Sequence, residues 1–244
     1  MCQTPGAKDR AGRAGAILFR SLDREEIRMA ESFDGVRQGY YESRCEAAVK
    51  VLEKRWFDAR AFASAEAAVS AVLETIPAGS RVGAGGSVTM RETGLLEKLD
   101  KRGDQLVYHV PEMELEESMA VRKEALNCPF YLCSSNAITM EGELINTDGI
   151  GNRVAGMIFG PATVIVLAGA NKIVEDRAEA FNRIRNIAAP ANARRLGIDT
   201  PCVEKGRCVD CRTPMNICRV TTIISMKPMW TDLKIFLAAE PLGF

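Results

Sequence analysis

The run Thr163–Ala168, TVIVLA, is apolar at every position after its first residue. A strand of this kind has no face to give to water, so it must be buried on both sides and flanked by other strands. That requirement excludes an all-helical bundle or a sheet covered on one face, and calls for helices above and below a sheet.

The rest of the chain supplies those partners. Asp58–Phe62, Arg81–Ala84, Gln105–His109 and Phe130–Cys133 read as short strands, and helix-period segments lie between them. Ser32–Phe57 places Ala48, Val49, Leu52 and Trp56 on one face. Ser64 is an N-cap for a helix to about Ile76, with Glu66 in its first turn and Pro77 and Gly79 stopping it. A glycine-rich turn after Ala84 opens a helix that ends near Gly103, and residues 112–126 read as another. The alternation predicts an α/β fold with a largely parallel sheet.

Beyond Cys133 the alternation breaks. Ala137–Met140 and Glu143–Asn146, separated by Glu141 and Gly142, have the layout of a tight hairpin, so some strands are antiparallel. Asn152–Ile158 suits one or two helical turns and Val174–Ala188 a helix. Pro190 and Pro201 mark a loop-rich, cysteine-bearing insert at about 198–220. Thr221–Ser225 and Lys234–Ala239 are closing strands that keep the insert on the same domain. The expectation is a single domain over residues 31–244 behind a flexible leader, 1–30.

At 244 residues and 47% hydrophobic, the chain can bury a full core. Lys plus Arg equals Asp plus Glu at 32 each, so no net field would hold it on nucleic acid or an anionic membrane. It contains no apolar run of the roughly 18 residues that a spanning helix needs. The apolar patch Ala16–Phe19 is too short for a signal peptide, which points to the cytoplasm. In that reducing compartment the 8 cysteines are expected as thiols; Cys133 reads as a small buried strand residue.

Three constellations carry chemistry. Gly83, Gly85, Gly86, Ser87 and Thr89 follow a strand and precede a helix, where backbone amides and hydroxyls can face an anion; a ligand-free turn is the alternative. The carboxyl end of a strand in an open α/β sheet favours a site. Asn136, Glu141, Asp148, Asn152, Arg153 and Lys172 offer amides, carboxylates and cations either for a pocket or for local pairing, such as Arg153 with Asp148. Cys202, Cys208, Cys211 and Cys218 are spaced Cx5CxxCx6C, which suits zinc, an iron-sulfur cluster, or packed or redox-paired thiols. His109, the chain's single histidine, reads as structural, and the acidic run Glu112–Glu117 as a solvated face.

The segment NAITMEGELINTDGIGNRVAGMIFGPATVIVLAGANKIVED resembles the LUD-domain family (DUF162), the lactate-utilization proteins with LutC-like and LutB-like members. GAGGSVTMRETGL is similar to the family's glycine-rich loop, and the cysteine segment to that of its short, stand-alone members. The resemblance covers about residues 35–240. It implies a three-layer fold similar to the NagB, ribose-phosphate isomerase and CoA-transferase group, with Gly85, Gly86, Ser87 and Thr89 facing Asn136, Asp148, Gly149, Asn152, Arg153 and Lys172 across a pocket. It further implies a role in oxidising lactate beside an iron-sulfur protein, although the long ferredoxin-type cysteine array of LutB-like members is missing here.

Three functions follow from these readings. The chain could serve organic-acid utilization with an iron-sulfur oxidoreductase partner, binding a small anionic ligand in the glycine-loop pocket. It could be an isomerase- or transferase-like enzyme on a phosphorylated or CoA-linked substrate, with Glu141 or Asp148 as base or nucleophile and Lys172 or Arg153 on an anionic group. It could also be a non-catalytic binding or regulatory subunit. Whether it forms a homodimer is left open by the sequence.

Overall fold

The computed structural model describes residues 33–244. The expected leader therefore lies outside the described residues.

Helix α1 (Phe33–Glu53) leads into strand β1 (Asp58–Phe62) and helix α2 (Ala65–Thr75), which Ser64 caps by accepting from the Ala67 amide at 3.1 Å. Strand β2 (Arg81–Ala84) is followed by two helices, α3 (Val88–Glu92) and α4 (Leu95–Arg102), where one was expected. Gly94, at φ 62°, breaks the run because its left-handed conformation cannot continue a helix. Strand β3 (Gln105–Val107), helix α5 (Leu115–Ala125) and strand β4 (Phe130–Cys133) complete the first half. Tyr108 and His109, read as strand, lie beyond the end of β3.

The second half holds β5 (Ala137–Thr139), β6 (Leu144–Asp148), α6 (Asn152–Ile158), β7 (Thr163–Gly169), a short 3-10 turn (Ala170–Lys172) and β8 (Ile173–Val174). Helix α7 (Arg177–Arg183), capped by Asp176, runs through a π segment (Ile184–Ala188) into α8 (Ala189–Arg195). The expected break at Pro190 is absent because this proline sits in the first turn of α8, where its missing N–H costs nothing. Helix α9 (Pro201–Lys205) and strands β9 (Val220–Ile224) and β10 (Asp232–Ala238) finish the chain.

The main sheet has six parallel strands in the order β1-β10-β7-β4-β2-β3. TVIVLA lies near its centre and is buried on both sides, as its composition requires. Val164, Val166 and Ala168 pack with Ala48 and Leu52 of α1, Ala125 of α5 and Met157 of α6. Ile165 and Leu167 face Val69 and Val72 of α2, Met90 of α3 and Leu95 and Leu99 of α4. The result is the expected three-layer α/β arrangement. On α1 the buried positions are Cys45, Ala48 and Leu52, whereas Trp56 lies past the helix end at φ 69° and is 72% exposed.

A second sheet, β8-β5-β6-β9, holds the hairpin β5-β6 and the antiparallel pair β6-β9, so the antiparallel expectation holds as well. The two segments read as closing strands close different sheets: β9 edges the small one and β10 sits inside the large one. Leu144 and Ile224 bind the small sheet to the main core, while Ile145 packs with Ala180 and Ile184 on its other side.

Candidate functional site

The parallel strands run out at one edge of the main sheet, and the loops that follow them carry the polar residues. Gly86 and Ser87 come after β2, His109 after β3, Ser134, Ser135 and Asn136 after β4, and Lys172 after β7. Together with the end of β6, the start of α6, α8 and the stretch Asn216–Arg219, they enclose a cavity of about 460 Å³. Its size suits a small organic molecule, and it lies where open α/β sheets bind ligands.

The deep wall is a cross-bonded polar network. Arg153 donates to Asp148 Oδ1 at 2.6 Å, Asn136 Oδ1 at 3.0 Å and the Ser134 carbonyl at 2.7 Å, and also to Asn146 Oδ1. The other carboxylate oxygen of Asp148 accepts from the Val154 amide at 3.0 Å, so the first turn of α6 is tied to the end of β6. Asn146 and Asn136 each also accept a backbone amide across the small sheet, from Asn136 and Thr147 respectively. Asp148 and Arg153 therefore do pair, as the sequence allowed, yet both still face the cavity.

Lys172 is held from behind. Gly169 lets the chain pass under residues 240–242, since a Cβ there would lie 2.5 Å from the Glu240 carbonyl. The Ala170 amide donates to that carbonyl, and the Asn171 side chain clamps Leu242 and Gly243. The Lys172 amine, 4% exposed, donates to Ser134 Oγ and Thr89 Oγ1, both at 2.9 Å. Burial, Arg183 and Arg153 bring its pKa down to about 7, against a weaker opposing effect of Glu92. Arg183, itself buried and lowered to about 10, donates to the carbonyls of Asn171 and Asn136.

Five cationic side chains line the cavity (Arg122, Arg153, Lys172, Arg195 and Arg219) against one side-chain carboxylate, Asp148. Among the described residues only Arg153 of the five has a carboxylate partner. His109 also faces the cavity. Burial and then Arg122, Arg91 and Arg195 push its pKa down to about 4, so it is neutral at pH 7, and its Nδ1 is buried without a partner.

Of the residues expected at the site, Gly86, Ser87, Asn136, Asp148, Gly149, Asn152, Arg153 and Lys172 line this cavity. Gly83, Gly85, Thr89 and Glu141 do not. Gly83 makes room for α5, since a Cβ would meet the Ala125 carbonyl at 2.3 Å, and Gly85 makes room for Tyr131. Thr89 stands behind the wall as a partner of Lys172. Glu141 is exposed in the β5-β6 turn, where its carbonyl accepts from Arg55. His109, which the sequence reads as structural, also lines it, and Arg122, Ser134, Arg195 and Arg219 were missed. Ser134, directly after β4, could have been found from the strand-end rule, but Arg122 and Arg195 come from surface-looking helices and left no such signal.

The cysteine segment is not an appendage, because it forms the outer wall. Gly149 packs against Ile217, with a Cβ position 3.3 Å from its carbonyl, and Cys218 lines the cavity. Surrounding protein and the thiols of Cys208, Cys202 and Cys211 push the Cys218 thiol up to about 11, so the four sulfurs lie in one neighbourhood. Cys208 Sγ accepts the Asp210 amide at 3.4 Å. The donor types thus match zinc or an iron-sulfur cluster. Among the described residues, no three His, Cys, Asp or Glu side chains converge closely enough to hold a metal ion. Cys133, fully buried, is the inert strand thiol expected, its pKa raised to about 12 by burial.

An α/β domain with a polar cavity at its strand ends is the class that fold and site define. The LUD domain model matches residues 45–237, and the chain belongs to the LUD-domain family. Among solved structures, a DUF162 family protein from Deinococcus radiodurans is similar at 12% identity and a TM-score of 0.45, over 82% of this chain and 98% of the other. No curated protein matches the chain. No helix among the described residues is long and apolar enough to cross a membrane.

Proposed function

We propose that this LUD-domain protein binds a small organic anion in the cavity, and that it does so in organic-acid (lactate) utilization beside an iron-sulfur redox partner in the cytoplasm. Charge carries the first half. Arg122, Arg195 and Arg219 line the cavity without a carboxylate partner among the described residues, and its one side-chain carboxylate, Asp148, is already bonded at both oxygens, so an anion would neutralise their charge. These three guanidiniums donate only to neutral oxygens among the described residues, of Ser118, Asn192, Asn216 and Pro214, so a carboxylate or phosphate would be their stronger partner. The lactate setting and the partner come from the family alone.

A thermal-shift series with lactate, pyruvate, phosphoglycolate and an acyl-CoA tests the reading. A true ligand at a hundredfold its dissociation constant stabilises by about 2.7 kcal/mol. The reading expects at least one of these anions to stabilise and the matched neutral amides to be inert. Equal behaviour of anions and amides would defeat it.

The second reading, an isomerase- or transferase-like enzyme on a phosphorylated or CoA-linked substrate, is favoured by Lys172, an amine close to neutrality on the wall of an anion pocket. Asp148 is a poor base or nucleophile in this arrangement, since both its oxygens are engaged, and Glu141 lies away from the cavity. If Lys172 does no chemistry, the non-catalytic binding subunit is what remains. For the cysteines, metal analysis of protein purified without oxygen separates bound zinc or an iron-sulfur cluster from four free thiols.

A further inference from the structure

Lys172 differs in kind from the other cations on the wall. An arginine keeps its proton and can only hold an anion, whereas a primary amine that releases its proton is a nucleophile. The structure gives this amine no carboxylate partner among the described residues: its two contacts are the hydroxyls of Ser134 and Thr89. Lys234 makes the contrast plain. It lies 2.7 Å from Asp58 and 3.2 Å from Asp232, and its pKa is raised. Arg183 and Arg153 stand near Lys172 instead, and their charge, with burial, favours the unprotonated amine. Such an amine sits in a cavity whose remaining cations would hold the anionic end of a ligand, leaving the other end to meet Nζ.

We propose that Lys172 is a carbonyl-reactive amine, which condenses with the aldehyde or ketone carbon of a small anionic substrate whose carboxylate or phosphate is held by the arginines of the same cavity. This rests on the anion-binding reading above and adds the substrate's second functional group. In the step, the lone pair of Nζ adds to the carbonyl carbon to give a carbinolamine. The C–O bond then breaks, the oxygen leaves as water carrying the two protons that the amine gives up, and a C=N bond joins the substrate to the lysine. Nothing is oxidised or reduced. Ser134 Oγ, which lines the cavity at 2.9 Å from Nζ, is placed to pass a proton to the departing oxygen.

The test is reductive trapping on the full chain. The protein is incubated at pH 7 with glyoxylate, pyruvate or dihydroxyacetone phosphate, reduced with borohydride, digested and mapped by mass. The expected result is a reduced adduct on Lys172 with at least one probe, formed about tenfold or more faster than on any other lysine. An amine with a pKa near 7 is roughly half neutral at that pH, against less than about a thousandth for an ordinary lysine. The pyruvate and phosphate arms show which anion the arginines take. Lys172→Arg should give no adduct there, and Arg195→Ala should slow it.

Adducts spread over exposed lysines, with Lys172 no faster than the rest, overturn the proposal. If an anion stabilises the protein but no Lys172 adduct forms with its carbonyl-bearing analogue, the carbonyl chemistry is wrong and the anion site stands. If no anion stabilises and no adduct forms, both fall together.

Discussion

The wall that carries Arg153 is bonded across distant stretches of chain, whereas the wall that carries Cys218 and Arg219 is held mostly by its near neighbours. In the first, residues 134–136, 146–148 and 153–154 share donors and acceptors between β4, the small sheet and α6. In the second, Arg219 donates to the carbonyls of Asn216 and Pro214, the Cys218 amide donates to Asn216 Oδ1, and Asn216 Nδ2 donates to the Cys211 carbonyl. Its long-range ties are few, among them Arg219 N to the Asp148 carbonyl at 3.0 Å and Arg185 to Asp210 at 3.2 Å. A polar network buried and cross-bonded in this way, with only the Asn146 Nδ2 left without a partner among its described atoms, holds its shape more firmly than a locally bonded loop, which opens at low cost. The difference separates the two walls: the deep one fixes geometry and charge, and the outer one is the part of the cavity that opens more readily.

The comparison breaks first at Arg153. Arg153→Ala leaves Asp148 buried without its cation, and should cost about 3–5 kcal/mol in urea unfolding. A loss below about 1 kcal/mol would mean that the deep wall does not depend on this network.

Next comes pH. The folded pKa of Lys172, about 7, lies below its unfolded value near 10.4, so the unfolded chain binds more protons in between. Stability from this residue is therefore lowest below pH 7 and rises through the window from about 7 to 10.4. Lys172→Met should flatten that rise, an effect on the order of a few kcal/mol. Identical pH profiles for variant and wild type would show that the amine is not desolvated. His109, lowered to about 4, acts in a different window: its stability contribution is lost as pH falls from about 6.5 through 4, and His109→Gln should remove that acid sensitivity.

The smallest effects belong to the outer wall. Cys211→Ser and Cys218→Ser should change stability by no more than about 0.5 kcal/mol if the thiols are free, because no long-range packing is lost. A drop of several kcal/mol in metal-loaded protein would instead show that a metal braces this wall. Hydrogen exchange sharpens the same point: amides in 206–219 should exchange fast and slow on anion binding, while those of 144–154 stay protected throughout.

How much of this was legible in the sequence follows the same division. The layers and the position of TVIVLA are set by burial patterns that survive any local context, and they were readable from periodicity. Helix boundaries failed where a single backbone position overrode the pattern, as at Gly94, or where a proline fitted a first turn, as at Pro190. At the site, Asn136, Asp148, Arg153 and Lys172 could be picked out because they are polar residues clustered at strand ends and in the loops and first helical turns that follow them. Glu141 shared that setting and proved to be an exposed turn residue, since the loop it occupies lies in the small sheet's hairpin rather than at an end of the parallel strands. Arg195 was hidden for the opposite reason, and His109, though visible at a strand end, read as structural. Only tertiary packing, with Gly86 leaving room for the imidazole at a Cβ distance of 3.0 Å, turns them toward the cavity.

The central claim is that the unpaired cations of this cavity bind an organic anion. Calorimetric titration of wild type, Arg195→Gln and Glu141→Gln with phosphoglycolate and pyruvate tests it most directly. The account predicts binding of at least one anion to wild type, weakened about tenfold or more in Arg195→Gln and unchanged in Glu141→Gln. No binding to wild type, or equal affinity in all three proteins, would contradict it.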